Sequence, residues 1–255
     1  MNQIIKILFS DILKNKIVIV YTVFLAALVW SSFALENNSA KGMLTVLGVV
    51  LFAVPLVSIL FSTIYVYNSN EFIELILSQP IRRNKIWISL FSSLSLAMIT
   101  AFLIGAAVPI LIYSPNFNGL LMIIVGVLIT LVFISLAFLC AIFNKDKARG
   151  IGSAIMVWLF FALLFDGIVL FFLYQFSDYP IEKPMIFLTS LNPIDLSRIF
   201  MLLHLEAAAM MNYTGALFHE YFGSTWGAVV SFILLLLWIA IPFLISLKKF
   251  VKKDL

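Results

Sequence analysis

The chain has 255 residues, of which 64% are hydrophobic and only 11% are charged, and its formal net charge is +4. These proportions exclude a soluble globular domain, because a chain with so few charges must be solvated mainly by lipid. The single cysteine, Cys140, excludes a disulfide or a multi-cysteine metal site within one chain, and the small positive charge does not indicate nucleic-acid binding.

The N-terminal segment combines apolar positions at helical spacing with three lysines, Lys6, Lys14 and Lys16. This pattern predicts an amphipathic helix over residues 1–16 that lies along the inner membrane surface. We expect the apolar stretch that follows to remain as a membrane span, because it is long for the core of a cleaved signal peptide.

Six apolar stretches can each cross a hydrocarbon core of about 30 Å, which takes about 20 helical residues. They cover roughly residues 17–35, 43–67, 88–113, 119–143, 151–176 and 226–247. We therefore predict an all-α membrane protein in which residues 1–255 form a single transmembrane domain with six membrane-spanning helices.

The basic residues predict the orientation of this bundle, because Lys and Arg are retained on the cytoplasmic side. If the N-terminus lies inside, only Lys41, Lys183 and Arg198 of the 16 Lys and Arg residues fall outside. Both termini are therefore expected in the cytoplasm.

The polar stretch between the second and third spans is predicted to form a short helix on the cytoplasmic membrane surface. Asn68 or Asn70 can cap its start, and Pro80 stops it. Glu71 and Glu74 lie in the first turns, where carboxylates are stabilised by the positive helix end.

This helix is predicted to have two different faces. Its apolar face comprises Phe72, Leu75, Ile76 and Gln79, and its polar face comprises Glu71, Glu74 and Ser78. A helix that buries its apolar side in the lipid interface is one explanation of this pattern.

The order of residues in this stretch resembles the cytoplasmic coupling segment of type-2 ABC transporter permeases, where an acidic helix leads into Leu-Leu-Ser-x-Pro and then a basic residue. The matching positions are Glu71, Glu74, Leu75, Leu77, Ser78, Pro80, Arg82 and Arg83. The chain lacks the Arg-rich run that precedes the first Glu in that family, and Phe72 and Ile73 replace its small residues. The resemblance implies that residues 68–85 dock into a groove of a separate cytoplasmic ATPase subunit.

The resemblance also implies a role for each matched side chain. Glu71 and Glu74 would fix the helix and pair with the ATPase, and Leu75 and Leu77 would fill its groove. Pro80 would redirect the chain, and Arg82 and Arg83 would anchor it at the lipid headgroups.

No Gly-x-x-x-x-Gly-Lys-Ser/Thr loop occurs in the sequence, so the chain is not expected to bind ATP in the P-loop manner. ATP and Mg would bind to the partner ATPase, and the chain itself is predicted to be neither an enzyme nor a cofactor or metal carrier. The second cytoplasmic loop, residues 144–150, is either a smaller ATPase contact or a basic anchor for the topology.

The longest segment outside the spans, residues 177–225, is expected to form a small helical cap on the outer side. Asn192 as cap, Pro193 at the first helical position and Asp195 at the third predict the start of a helix that ends near Met211. A shorter helix over 216–221 would lead into the last span.

The stretch Leu191–Phe200, together with Tyr213–Ala216 and Phe222–Gly223, resembles the NosY-type permeases of the nitrous oxide reductase maturation system. The resemblance implies a homodimer in a bacterial inner membrane, with two NosF-type ATPases inside and a NosD-type copper-handling protein on the outer cap. Such a complex supports assembly of the copper-sulfur cluster of the reductase, by moving a sulfur species or by transmitting conformational change. The predicted outer-partner contacts are Asn192, Pro193, Asp195, Arg198, Met201 and His204.

Met201, His204, Ala208 and Met211 share one helical stripe, with thioether and imidazole groups that Cu(I) accepts. Packing of the stripe against a core or a partner is the other interpretation.

Asp166 is the one carboxylate deep within a span, where its charge costs roughly 2.5 to 3.5 kcal/mol. It should face the bundle or be protonated. One interpretation is a structural hydrogen bond between helices or between two copies of the chain, and the other is a role in a path for cations or protons.

Two other functions fit parts of this pattern. A type-2 ABC exporter of a lipid, drug or glycan would share the coupling segment, and a secondary transporter would use Asp166 without an ATPase. An intramembrane enzyme is disfavoured because polar catalytic groups do not cluster at membrane depth in the sequence.

Overall fold

The computed structural model of the chain describes residues 2–36, 39–78, 81–176, 182–203 and 213–252. All regular structure within these ranges is helical, which confirms the predicted all-α fold class.

Six helical segments among the described residues are long and apolar enough to cross a membrane, as predicted. After α1 (Asn2–Leu13), the first span is α2 (Lys16–Leu35), the second α3 (Ser39–Asn68) and the fourth α7 (Phe117–Phe143). The third span is α5 and α6 (Arg83–Phe102 and Val108–Tyr113), the fifth α8 and α9 (Lys147–Leu159 and Phe165–Gln175), and the sixth α12 (Tyr213–Lys252). The shorter helices are α4 (Asn70–Leu77), α10 (Glu182–Ser190) and α11 (Pro193–Leu202).

We call the ends of the spans that are predicted to face the cytoplasm the inner ends, and the opposite ends the outer ends. The inner ends include the end of α3, the start of α5, the connection from α7 to α8, and the end of α12. The orientation itself stays a prediction.

The sixth span begins at Trp226, as predicted, but the helix that contains it begins earlier, at Tyr213. A separate short helix over 216–221 is wrong, because α12 runs unbroken for 40 residues from Tyr213. The glycine at 223 does not interrupt it, since one glycine inside a helix costs only about 1 kcal/mol relative to alanine.

The fourth span is the centre of the bundle. In the most apolar stretch of 18 residues in each span, 72% of the residues are buried in the fourth span, compared with 17% in the fifth and 22% in the sixth. The central helix α7 packs against α3, α5, α11 and α12. The fifth span therefore leaves most of its apolar surface to lipid or to another protein chain.

The third and fifth spans each contain one π-helical turn, at Leu103–Ala107 and Phe160–Leu164. A π turn widens the helix by one residue and leaves backbone carbonyls without their usual partner. At the first turn an added Cβ on Gly105 would lie 2.7 Å from the carbonyl oxygen of Thr22, so the third span meets the first at backbone distance.

The third and fourth spans are in equally close contact at Gly126, where any Cβ would overlap the ring of the fully buried Phe102. We expect Gly126→Ala to destabilise the bundle by about 1 to 3 kcal/mol, because a closely packed core does not accept an extra methyl group without strain. Gly48→Ala is the matched control, since its Cβ meets nothing within 4 Å. Thermal unfolding in detergent, followed by tryptophan fluorescence, should show a lower midpoint only for Gly126→Ala, and equal midpoints would contradict the prediction.

Candidate coupling site

The short helix α4 follows the second span almost without a break. α3 ends at Asn68 and α4 begins at Asn70, with Ser69 between them. Backbone hydrogen bonds from Ser69 to Tyr65 and from Ile73 to Ser69 continue across the join. A push on α4 is therefore applied directly to the inner end of α3.

The cap of α4 differs from the prediction. Ser69, and neither Asn68 nor Asn70, occupies the cap position, and its side chain does not cap the helix. Instead its hydroxyl donates to the carbonyl of Tyr65 at 2.8 Å. The Ile73 N–H, in the first turn of α4, finds its partner in the Ser69 carbonyl instead of in a capping side chain.

The end of α4 is described only up to Ser78, whose hydroxyl donates to the Leu75 carbonyl at 2.7 Å. Pro80, the predicted stop, and Gln79 lie outside the described residues. The role of Pro80 stays a prediction.

One side of α4 is seated on the bundle. Ile73 and Ile76 are buried, and Phe72 and Leu77 pack half-buried against the same core. Ile73 was missed by the sequence analysis, although Ile73, Ile76 and Leu77 follow the i, i+3, i+4 spacing of a buried helical face. The bundle therefore receives any displacement of α4 through packed side chains.

Leu75 was assigned to the wrong face. Its side chain is 68% exposed, and it lies between the exposed residues Glu71, Glu74 and Ser78. These four residues follow the i, i+3, i+4, i+7 spacing of one helical stripe. We call Glu71, Glu74, Leu75 and Ser78 the acidic stripe, and it points away from the bundle.

The connection from α7 to α8 lies beside the acidic stripe at the inner ends. Its cations Lys145, Lys147 and Arg149 are all exposed, and we call these three residues the basic loop. Asp146 caps α8 by accepting from the Arg149 N–H at 3.2 Å, which fixes the loop backbone. The inner surface thus presents an acidic stripe and a basic loop side by side.

Two contacts tie the basic loop to the start of the coupling segment. The Tyr67 hydroxyl lies 2.9 Å from the carbonyl oxygen of Asn144 and 3.3 Å from that of Ala141, so its one proton is shared between them. The Lys147 ammonium donates to the Asn68 amide oxygen at 2.7 Å. These contacts join the inner end of α3, which leads into α4, to the connection from α7 to α8.

The arginines after α4 have different surroundings. Arg82 is exposed at the cap position of α5. The Arg83 guanidinium donates to the Val251 carbonyl at 3.4 Å, near the end of α12. A cation is favoured at the C-terminal end of a helix, so Arg83 contributes to the contact between α5 and α12.

Aromatic packing strengthens the same contact between α5 and α12. The ring of Trp87 stacks on Phe250 at 4.3 Å, and its indole N–H donates to the Ser246 hydroxyl at 3.1 Å. A cavity of about 80 Å³ lies beside this contact, lined among others by Asn70, Glu74 and Trp87. The cavity leaves space beneath α4 at the point where α4 meets the bundle.

A second polar cluster lies away from the inner ends, at the start of α11. Asn192 caps this helix as predicted, accepting from the Ile194 N–H at 3.0 Å. Its amide group donates to Asp195 at 2.9 Å and to the Phe161 carbonyl at 3.1 Å. Phe161 lies within the π turn of the fifth span, so Asn192 satisfies a carbonyl that the π turn leaves without its usual partner.

Arg198 joins two carboxylates in this cluster. Its guanidinium donates to Asp195 at 3.0 Å and lies 3.8 Å from Asp166 in the fifth span. The Asp195 side chain is 9% exposed, whereas the Asp166 side chain is 45% exposed. Asp166 therefore links α9 to α11 and still presents a carboxylate at the surface of the single chain.

The turn between α10 and α11 packs against the sixth span. The Trp238 indole N–H donates to the Ser190 carbonyl at 3.2 Å. Trp238 precedes Lys248 by ten residues, which is about 15 Å along the helix from the predicted inner end of the sixth span. The tip of the hairpin of α10 and α11 therefore contacts the middle part of that span, and the location of residues 177–225 outside the membrane stays a prediction.

The predicted outer-partner contacts are mostly occupied within the chain. Asn192, Pro193, Asp195 and Met201 are buried, and the Arg198 side chain is 30% exposed. A helix that is apolar on most sides is buried, and α11 follows that rule. Contact with an outer partner stays a prediction.

Of the helical stripe that was considered as a copper contact, the structure describes only Met201. Met201 is fully buried by its own chain, which favours packing at that residue. His204, Ala208 and Met211 lie outside the described residues.

Comparison with known proteins gives two findings. The family described as "ABC-2 family transporter protein" matches residues 3–255. A protein of Pseudomonas aeruginosa named "Probable ABC transporter permease protein NosY" is 29% identical over 170 residues. That similarity spans 62% of this chain and 62% of the Pseudomonas protein.

Proposed function

The chain belongs to the ABC-2 family of transporter proteins and is a multi-pass membrane permease, and we propose that a separate cytoplasmic ATPase drives it through the acidic stripe. ATP and Mg would bind to that partner subunit, and this chain would contribute motion and no covalent chemistry.

The exposed Leu75 is the observation that carries this proposal. An apolar side chain that is 68% exposed on a helix whose opposite face is seated on the bundle suits a helix-in-groove contact. Glu71 and Glu74 flank it and would align the helix with basic groups of the partner. The lipid interface is a poor environment for this stripe, because two exposed carboxylates lie in the turn that precedes the leucine.

The seating of α4 supports transmission of force into the bundle. Ile73 and Ile76 are buried against the inner ends of the spans, so a displaced α4 carries packed neighbours with it. Packed interfaces move between discrete arrangements and do not deform continuously, which suits a rigid-body rearrangement driven by ATP.

The exposed carboxylate of the fifth span supports a homodimer. The Asp166 side chain is 45% exposed, and the side chain of its ion-pair partner Arg198 is 30% exposed. A charged side chain that faces hydrocarbon is costly. A second copy of the chain, or a water-filled path between two copies, would remove this cost.

The finer function that we propose is support of copper-sulfur cluster assembly in nitrous oxide reductase. The similarity to the Pseudomonas protein named as a NosY permease and the resemblance of Leu191–Phe200 to NosY-type permeases support it. The complex would sit in a bacterial inner membrane with both termini inside, two NosF-type ATPases on the inner surface and a NosD-type copper-handling protein outside. It would move a sulfur species or transmit conformational change to the outer protein.

Coexpression with the ATP-binding and outer copper-binding proteins of the same organism tests this function. We expect the three proteins to purify together with two copies of the permease and two of the ATPase. Reductase from cells that lack the permease should lose the copper and visible absorbance of its copper-sulfur cluster, and the wild-type chain should restore both.

Two outcomes would contradict the proposal at different levels. Purification of the permease without any ATPase would remove the coupling role. A normal reductase in cells without the permease, together with accumulation of a lipid, glycan or drug, would replace the copper-sulfur function by that of a type-2 exporter.

A further inference from the structure

Tyr67 occupies the point where the coupling segment meets the connection from α7 to α8. It is one residue before the end of α3, and its hydroxyl reaches the carbonyl of Ala141 in the last turn of α7 and that of Asn144 directly after this helix. Carbonyls at a helix end have no partner within the helix, so this tyrosine satisfies groups that would otherwise need water. The contact joins the second span to the fourth.

The connection that Tyr67 holds is itself stiff. The Asn144 amide donates to the Cys140 carbonyl at 2.9 Å and to the Ser153 hydroxyl at 3.0 Å. Ser153 in turn donates to the Gly150 carbonyl at 2.8 Å. Because these bonds run from α7 across the loop to α8, the start of the fifth span should follow any movement of the loop.

Gly150 makes the close approach of Tyr67 possible. A Cβ at this position would overlap the Tyr67 hydroxyl and ring. Gly152 lies two residues further along the same helix, and a Cβ at this position would meet nothing within 4 Å. Only the first of these two glycines is therefore required by the tyrosine.

We propose that Tyr67 is a positioning residue that clamps the start of the fifth span to the coupling segment, so that a movement of α4 reaches the hairpin of α10 and α11. This inference rests on the proposed function, because it needs an ATPase that moves α4. The clamp transmits the movement to α8, and the Phe161 carbonyl in the π turn passes it to Asn192 at the tip of the hairpin.

The cavity beneath α4 lies next to the clamp. Tyr67, Asn70, Glu74 and Asn144 are among its lining residues, so the cavity borders both halves of the clamped unit. Its volume is about 80 Å³. Coupling along this route is measured as movement at its far end, in the fifth span.

The first experiment asks whether the clamp exists, without any ATPase. Cysteines replace Asn68 and Lys147 in a Cys140→Ser background, and a short bismaleimide cross-links them in native membranes. We expect Tyr67→Phe and Gly150→Ala each to lower the cross-link yield at least threefold, because the first removes the hydroxyl and the second displaces the ring. Gly152→Ala is the matched control and should keep the yield of the parent. Equal yields in all variants would overturn the clamp.

The second experiment asks whether the clamp transmits movement. A spin label at residue 174, whose tyrosine is 84% exposed at the outer end of the fifth span, reports the distance between the two copies in the complex with the ATPase. ATP should change this distance in the parent and in Gly152→Ala. We expect Tyr67→Phe to keep the bound ATPase and to lose at least two thirds of the ATP-dependent change.

The outcomes separate the clamp from the proposed function. An unchanged response at residue 174 in Tyr67→Phe would overturn the positioning role. A parent chain that retains no ATPase would count against the proposed function, and the cross-link yields would still decide whether Tyr67 holds the loop.

Discussion

Leu75→Asp should release the ATPase, and we expect at least a tenfold loss of the subunit that purifies with the permease. Leu75 is the apolar centre of the acidic stripe and is 68% exposed, so the substitution removes the anchor that would fill the partner's groove. Contacts at the centre of an interface dominate its energy, and a loss of about 1.4 kcal/mol already lowers affinity tenfold. The bundle should stay intact, because Leu75 does not pack against it.

The control for this prediction adds the same charge elsewhere on the inner surface. Asn84→Asp places a carboxylate on an exposed residue at the start of α5, within the coupling segment but outside α4 and the acidic stripe. Size-exclusion chromatography and quantitative gel analysis of the purified complex should show the ATPase with Asn84→Asp and not with Leu75→Asp. If both variants retained the ATPase equally, the acidic stripe would not be its docking surface.

Arg198→Leu should destabilise the permease by roughly 3 kcal/mol, because removal of one partner from a largely buried ion pair leaves the other charge uncompensated. Asp195 is the buried partner, and its carboxylate receives the Arg198 guanidinium at 3.0 Å. Asp166 would lose the same cation at 3.8 Å. The thermal unfolding midpoint in detergent should fall, and the fall should be larger than that of Gly126→Ala.

A charge-matched variant separates lost charge from lost packing. In Arg198→Leu combined with Asp195→Asn, the buried carboxylate is gone, and Asn192 still has a polar partner at residue 195. We expect this double variant to recover at least half of the lost stability. If it were as unstable as Arg198→Leu alone, the arginine would act through the packing of its aliphatic stem and not through its charge.

The six spans could be predicted because each is a long run of apolar residues, and a bilayer admits few other structures for such a run. The cap at Asn192 could also be predicted, because the Asn-Pro-x-Asp order specifies a helix start from local residues alone. Both features depend on neighbours in sequence.

The burial of α11 and the orientation of α4 could not be predicted so well. Charges at Asp195 and Arg198 indicate an exposed helix, but the two side chains neutralise each other within a buried surface. On α4 the predicted face of Phe72, Leu75, Ile76 and Gln79 and the observed face of Ile73, Ile76 and Leu77 are both apolar enough to face the core. Only the position of the neighbouring helices decides which of them is buried.

The clamp at Tyr67 could not be predicted from the sequence for a different reason. Its partners Ala141 and Asn144 are distant in sequence, and the requirement for Gly150 follows from a contact between two spans. A single sequence does not contain that pairing, because a tyrosine near a helix end and a glycine near a helix start are each common by themselves.

The unbroken α12 gives the permease a long rigid arm with one weak point. Pro242 lies within it, close to the inner end where Trp87 and Phe250 stack, and a proline removes one hydrogen bond from the helix. From Tyr213 to Pro242 the arm measures about 43 Å, so a bend of about 10° at the proline would sweep its outer tip through about 8 Å. A modest rotation near the cytoplasm would thereby become a stroke on the far side as long as one and a half helical turns.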